Sequence, residues 1–190
     1  MRKSYTILLA LVVLLSTAMS VQALESKTIE RYNGESASAD WYETNGDITT
    51  YTYLSVTETK DGTDIYISTY TYGPCSWSEK SGYMFTNDNV FKIDKKLNSA
   101  SLSEVEIEVC DYYTGETGTL TVQADWIGEG EISESSSKSS SKYDDYVWKS
   151  SDSSKYRDAS ATGSINGYDL GVSSYASLSS FKYAYMSMTK

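Results

Sequence analysis

The stretch ITTYTYLSVTE, Ile48 to Glu58, alternates without a break: Ile48, Thr50, Thr52, Leu54 and Val56 fall on one side, Tyr51, Tyr53 and Ser55 on the other. A period of two in β-branched and aromatic residues marks a strand, because successive side chains leave opposite faces of an extended backbone. DIYISTYTY repeats the pattern, with Ile65 and Ile67 opposite Tyr66, Tyr70 and Tyr72. TLTVQADWIG sets Leu120, Val122, Ala124 and Trp126 against Thr121, Gln123 and Asp125. Beyond residue 23 no segment carries a 3.6-residue apolar stripe, so the chain reads as all-β.

The turns agree independently. Asn33-Gly34, Asn45-Gly46, Asp61-Gly62 and Asn166-Gly167 are pairs that tolerate positive φ, and each lies between alternating runs. Tyr112 to Gly118, YYTGETG, supplies a longer turn. Hairpins at these points predict strands over 27–32, 36–43, 48–59, 64–72, 102–112, 119–128, 156–165 and 174–188, with a short one over 89–93. About eight to ten mostly antiparallel strands are too many for one flat sheet. The expected architecture is an antiparallel β-sandwich of two packed sheets, with a jelly roll or a barrel as the alternative.

Leu, Ile, Val and Phe are scarce, while 17 of the 18 Tyr and all 4 Trp lie beyond residue 23. Each such ring can bury on the order of 150–250 Å². The rings are therefore expected to form much of the core. Trp41, Tyr42, Trp77 and Trp148 fall near predicted turns or strand ends and are the candidates for exposed recognition residues.

Residues 1–23 read as a secretory signal: Arg2 and Lys3, an apolar run from Ile7 to Leu15, then small residues ending in VQA. Retention as an uncleaved anchor is the alternative to cleavage after Ala23. The apolar run is about half of the ~20 residues that span a bilayer. The expected domain plan is a signal at 1–23 and a single β domain at 24–190, interrupted by a flexible Ser-rich insertion at 133–155. Loss of Arg2 and Lys3 leaves 14 basic against 26 acidic side chains, 14 − 26 = −12. That field repels nucleic acid and anionic membrane surfaces, and no stable membrane insertion is expected. Export to an oxidising space permits a Cys75–Cys110 disulfide, and the spacing alone leaves the pairing open. There is no Asn-x-Ser/Thr sequon, so N-glycosylation is not expected.

In SEVEIEVC, Ser103 to Cys110, Glu104, Glu106 and Glu108 stand opposite Val105, Ile107 and Val109, which reads as a sheet with one wet face. Their spacing of about 7 Å along the strand also falls within the range of inverting glycosidase pairs, ~6.5–9.5 Å. Thr86 to Asp94 and Tyr143 to Tyr146 offer clustered oxygen ligands for Ca²⁺ but lack EF-hand spacing. Turns rich in Asn and Asp usually serve only as turns, so no cofactor is expected, with Ca²⁺ as the minor alternative. The chain has His 0, so triads with histidine, imidazole zinc sites and histidine proton shuttles are excluded. No nucleotide-binding or dithiol motif is present. The leading expectation is a secreted or cell-surface, non-enzymatic β protein that adheres, builds structure or binds a ligand, its partner a cell-envelope protein or glycan. The alternative is a small carboxylate-dependent extracellular polysaccharide hydrolase.

ADWYETNGDITTYTYLSVTET, VFKIDKKLNSASLSEVEIEV and VQADWIGEGE, within Ala39 to Ile132, resemble a loose set of exported, uncharacterised bacterial and archaeal β-rich proteins. That resemblance implies secretion and a β fold, and implies no activity.

Overall fold

The computed structural model describes residues 26–74 and 76–189. The expected signal and Cys75 lie outside the described residues. Every regular element is a strand: β1 (Ser26–Asn45), β2 (Ile48–Thr59), β3 (Gly62–Gly73), β4 (Ser76–Thr86), β5 (Phe91–Ile93) and β6 (Ser99–Asp111). They are followed by β7 (Thr117–Gly128), β8 (Ser133–Tyr143), β9 (Tyr146–Ile165), β10 (Tyr168–Val172) and β11 (Tyr175–Thr189). The architecture is all-β and antiparallel, as the alternation predicts. Two compact units emerge from the contacts. The first comprises, of its described residues, 26–30, 138–151 and 184–189; the second is Arg31–Ser137 with Asp152–Tyr183.

All strands join one eleven-stranded hydrogen-bonded sheet rather than two separately paired ones. Its backbone order is β10-β9-β11-β1-β2-β3-β4-β6-β5, with β7 bonded to both β6 and β9. Within the second unit those pairings close a circuit: β1, β2, β3, β4, β6, β7, β9, β11 and back to β1. Each of its members has a paired neighbour on both sides, although β4 and β6 meet over only part of their lengths. The seam between β4 and β6 is short, carrying only Lys80–Asp111, Ser81–Cys110 and Gly82–Val109.

Inward positions hold the core: Ala37, Ala39 and Trp41 on β1, Leu54 and Val56 on β2, Ile65 and Ile67 on β3. Ile107 and Val109 on β6, and Val122, Ala124 and Trp126 on β7, join it with Ala161, Ala176 and Leu178. Burying one such aliphatic side chain contributes about 1.5–3 kcal/mol. Small residues on β1, β9 and β11 leave room for the indole of Trp126, whose Nε1 donates to the Ser38 carbonyl oxygen on β1 at 2.9 Å. Phe91 meets that indole edge-on, with centroids 6.3 Å apart. No tyrosine is among the buried core residues described. The expectation that Tyr builds the core is therefore corrected: on β2 and β3 the aliphatic side of each alternation faces in, and the rings face out.

A bulge in β6 shapes the same core. Leu102 pairs with Ala124 and Val105 with Val122, so Ser103 and Glu104 together oppose Gln123. One extra residue switches the inward parity, which lets Leu102 and Val105 both be buried.

Three local expectations change. Asn33-Gly34 is no turn: β1 runs through it and Gly34 pairs with Thr59. A Cβ on Gly34 would sit 2.6 Å from Phe181 Cζ and 2.7 Å from the Glu58 carbonyl oxygen, so glycine serves close approach there. Asn166-Gly167 does turn, with φ of 50° and 76°. The stretch 133–155, expected as a flexible insertion, is the strand β8 and the first part of β9. Almost nothing on it is buried, which is why apolar patterning carries no signal. Pairing holds it instead: Ser135 and Ser154 hydroxyls meet at 2.7 Å, and Lys155 donates to Glu134 at 2.6 Å. β9 is in turn held by β7 from Ala159 to Ile165. β4, with its mixed SWSEKSGYMFT, was likewise not predicted from the sequence, since Ser78, Lys80 and Gly82 on its inward side interrupt any apolar alternation before Met84.

Candidate functional site

Because the aliphatic side of β1 to β4 faces in, their aromatic side is left on the surface. At the end of the second unit that holds the β1–β2, β3–β4 and β6–β7 turns, these rings line up across the sheet. Tyr42 of β1 lies 4.8 Å, centroid to centroid, from Tyr51 of β2. Tyr51 is the direct cross-strand partner of Tyr70 on β3. Tyr70 meets Trp77 of β4 edge-on at 4.9 Å, and Trp77 meets Tyr113 of the β6–β7 turn edge-on at 6.1 Å. Tyr112 continues the row at 5.3 Å from Tyr113, and Tyr72 flanks Tyr70 at 5.9 Å. Cross-strand ring pairs of this kind stabilise a sheet by about 0.2–1 kcal/mol each.

The strip is open to solvent: Tyr42 is 61%, Trp77 56% and Tyr112 76% exposed. Polar groups fix its ends. Tyr51 donates its hydroxyl to Asp40 Oδ1 at 2.6 Å. Partial burial, reinforced by that carboxylate, pushes the Tyr51 phenol well above its ordinary range. Asp111 is buried and accepts from the amides of Tyr113 and Thr114 at 2.9 and 3.1 Å, and from the Ser78 hydroxyl at 2.8 Å. Those bonds hold the Asp111 carboxyl below its usual value and set the turn that presents Tyr113. Further along the outer face, Tyr53 lies 6.1 Å from Tyr66, and Tyr66 pairs across to Tyr83, which donates to Asp64. The result is an aromatic arc over β1 to β4.

The sequence candidates separate. Tyr42 and Trp77 both belong to the strip. Trp41 does not: it is 3% exposed, in the core, with Nε1 donating to the Gly171 carbonyl oxygen at 3.2 Å. Ala37 and Ala39 share its inward parity, which decides the face. Trp148 belongs to the first unit, where its ring lies 6.0 Å from Tyr185, whose hydroxyl is 3.0 Å from that of Tyr146. Tyr70, Tyr72 and Tyr113 were not singled out from the sequence; Tyr70 and Tyr72 share the outward parity of β3, opposite Ile65 and Ile67, and Tyr113 is brought in by the β6–β7 turn.

Glu104, Glu106 and Glu108 lie exposed on the outer face of β6, Glu106 and Glu108 opposite Thr121 and Thr119. The segments weighed as oxygen ligands lie at turns: Asp94 accepts from Asn98 N and Nδ2, and Asp144-Asp145 make the β8–β9 turn. Among the described residues no cluster of three or more acidic or thiol side chains could hold a metal ion. Cys110 is exposed on β6, and its expected partner Cys75 lies outside the described residues. Among the described residues no helix is long and apolar enough to cross a membrane.

One acidic pair was missed. Glu35 and Glu58 are direct partners across β1 and β2, on the inward side, where that side opens at the opposite end of β2 from the strip. Inward parity with Ala37 and Val56 is the signal that could have found them. Partial burial, then the neighbouring Glu35, pushes the Glu58 carboxyl up from its ordinary value. No protein-family model, curated protein or solved structure matches this chain.

Proposed function

We propose that this is an exported, non-enzymatic β protein that binds a glycan chain of the cell exterior along the Tyr42–Tyr51–Tyr70–Trp77–Tyr113 strip. The row of rings across four strands, exposed at Tyr42, Trp77 and Tyr113 and half-buried at Tyr51 and Tyr70, is the observation that carries the reading. Contiguous apolar surface rimmed by polar groups marks interaction sites, and Tyr and Trp present stiff, amphipathic area at low entropic cost. Asp40 and Glu79 beside the rings are acceptors for sugar hydroxyls. The leader-like residues 1–23 and the acidic, histidine-free composition support export and argue against histidine-based catalysis. A glycan array followed by titration calorimetry tests this. Binding lost in Trp77→Ala and Tyr42→Ala supports it; no glycan binding, or binding indifferent to both variants, overturns it.

A second reading has its own observation. Facing Glu35 and Glu58, one with a raised carboxyl, are the groups a carboxylate-dependent hydrolase needs. Release of reducing ends from polysaccharide, abolished in Glu58→Gln, would support it; absence of release across a polysaccharide panel would remove it.

A further inference from the structure

The chain is strongly acidic, yet four of its 16 Lys and Arg residues converge on one cavity of about 510 Å³ in the second unit. They come from four separate places: Lys60 from the β2–β3 turn, Lys95 from the β5–β6 turn, Lys155 from β9 and Lys182 from β11. Only Lys155 is closely paired, to Glu134 at 2.6 Å, while Lys60 stands 3.8 Å from Asp61. Lys95 and Lys182 have no ion pair among the described residues. The same cavity is lined by Glu35 and Glu58, yet none of the four lysines pairs with either. Two carboxylates directly opposite each other destabilise a sheet, so the fold gains nothing from this arrangement. Unpaired cations and a crowded acidic pair in one concave site are complementary to a ligand with an anionic end and a hydroxylated body.

The geometry points to a binding site for a hexuronate, with Lys95 and Lys182 meeting its carboxylate and Glu35 and Glu58 accepting from its hydroxyls. The volume lies within the ~300–1,000 Å³ of small-ligand sites. A neutral hexose lacks the charge that the lysines meet. Inorganic phosphate carries its P–OH protons on the anionic group itself and lacks the separate hydroxylated body that the glutamates would hold. The site stands apart from the aromatic strip: Tyr51 and Glu58 are seven residues apart on β2, about 23 Å.

The test is titration calorimetry of the purified protein with galacturonate and glucuronate, a uronate oligomer, glucose and inorganic phosphate. The expected result is uronate binding at least about tenfold tighter than glucose or phosphate. The double variant Lys95→Gln/Lys182→Gln should weaken it about tenfold or more, with an unchanged unfolding midpoint. Binding of the oligomer alone assigns the cavity to a polymer, binding of the monomer alone to free sugar acid, and either supports the site. Trp77→Ala should leave uronate affinity intact, which separates this site from the strip. No uronate binding, phosphate binding as tight as uronate, or a double variant that binds like the parent overturns the assignment.

Discussion

Val109 on β6 is flanked by glycine on both sides, Gly82 of β4 and Gly118 of β7, and the same substitution at each should have opposite effects. A Cβ on Gly82 would lie 2.4 Å from the Glu108 carbonyl oxygen, 2.7 Å from Val109 Cγ1 and 2.9 Å from Ile107 Cγ2. The first of these is backbone, which cannot rotate away. A Cβ on Gly118 meets nothing within 4 Å. Neither glycine has positive φ, so alanine is free of backbone strain at both. Gly118→Ala should then gain about 0.4–1 kcal/mol by restricting the unfolded chain. Gly82→Ala has the same gain but must force apart a seam of only three residue pairs, and overpacking costs about 1–3 kcal/mol. The net expectation is a loss of about 1–2 kcal/mol for Gly82→Ala. Urea unfolding followed by far-ultraviolet circular dichroism measures both. If Gly82→Ala is as stable as Gly118→Ala, β4 and β6 do not approach as described and the circuit is open there.

Two further perturbations separate core from surface. Trp126→Ala should cost about 3–5 kcal/mol, because it empties a core site and removes the hydrogen bond to the Ser38 carbonyl oxygen, whereas Trp77→Ala should cost less than about 1 kcal/mol; urea unfolding compares them. Because the folded protein holds the Glu58 carboxyl above its unfolded value, Glu58 favours folding below the unfolded value and opposes it above the folded one. Glu58→Gln should thus raise the unfolding midpoint at neutral pH, and that advantage should vanish below about pH 4.

Much of the fold is legible wherever aliphatic residues alternate with anything else. Leu54, Val56, Ile65, Ile67, Val122 and Trp126 share faces in the sequence as they do in the core. Ring count misleads about burial because Tyr fits either side of a strand, and only the aliphatic parity of the same strand tells which side is wet. Trp41 was misplaced for that reason: it adjoins Tyr42, and position near a turn says less than the alanines two and four residues before it. Gly34 looked like a turn residue because Asn-Gly is a hairpin signal, while its actual need, contact with Phe181, is made 147 residues away. β8 is invisible to patterning since its stability comes from its neighbour β9 rather than from its own side chains. The strip and the lysine cavity depend on cross-strand register, which a linear reading does not supply.

The most direct measurement is hydroxyl-radical footprinting of the folded protein with residue-level mass spectrometry. Rings carried outside an aliphatic core should give rapid oxidation at Tyr42, Trp77, Tyr112 and Tyr113, with Trp41 and Trp126 protected until the chain unfolds. Protection of the tyrosine row in the ligand-free protein, or oxidation of Trp126 at the rate of Trp77, would contradict it.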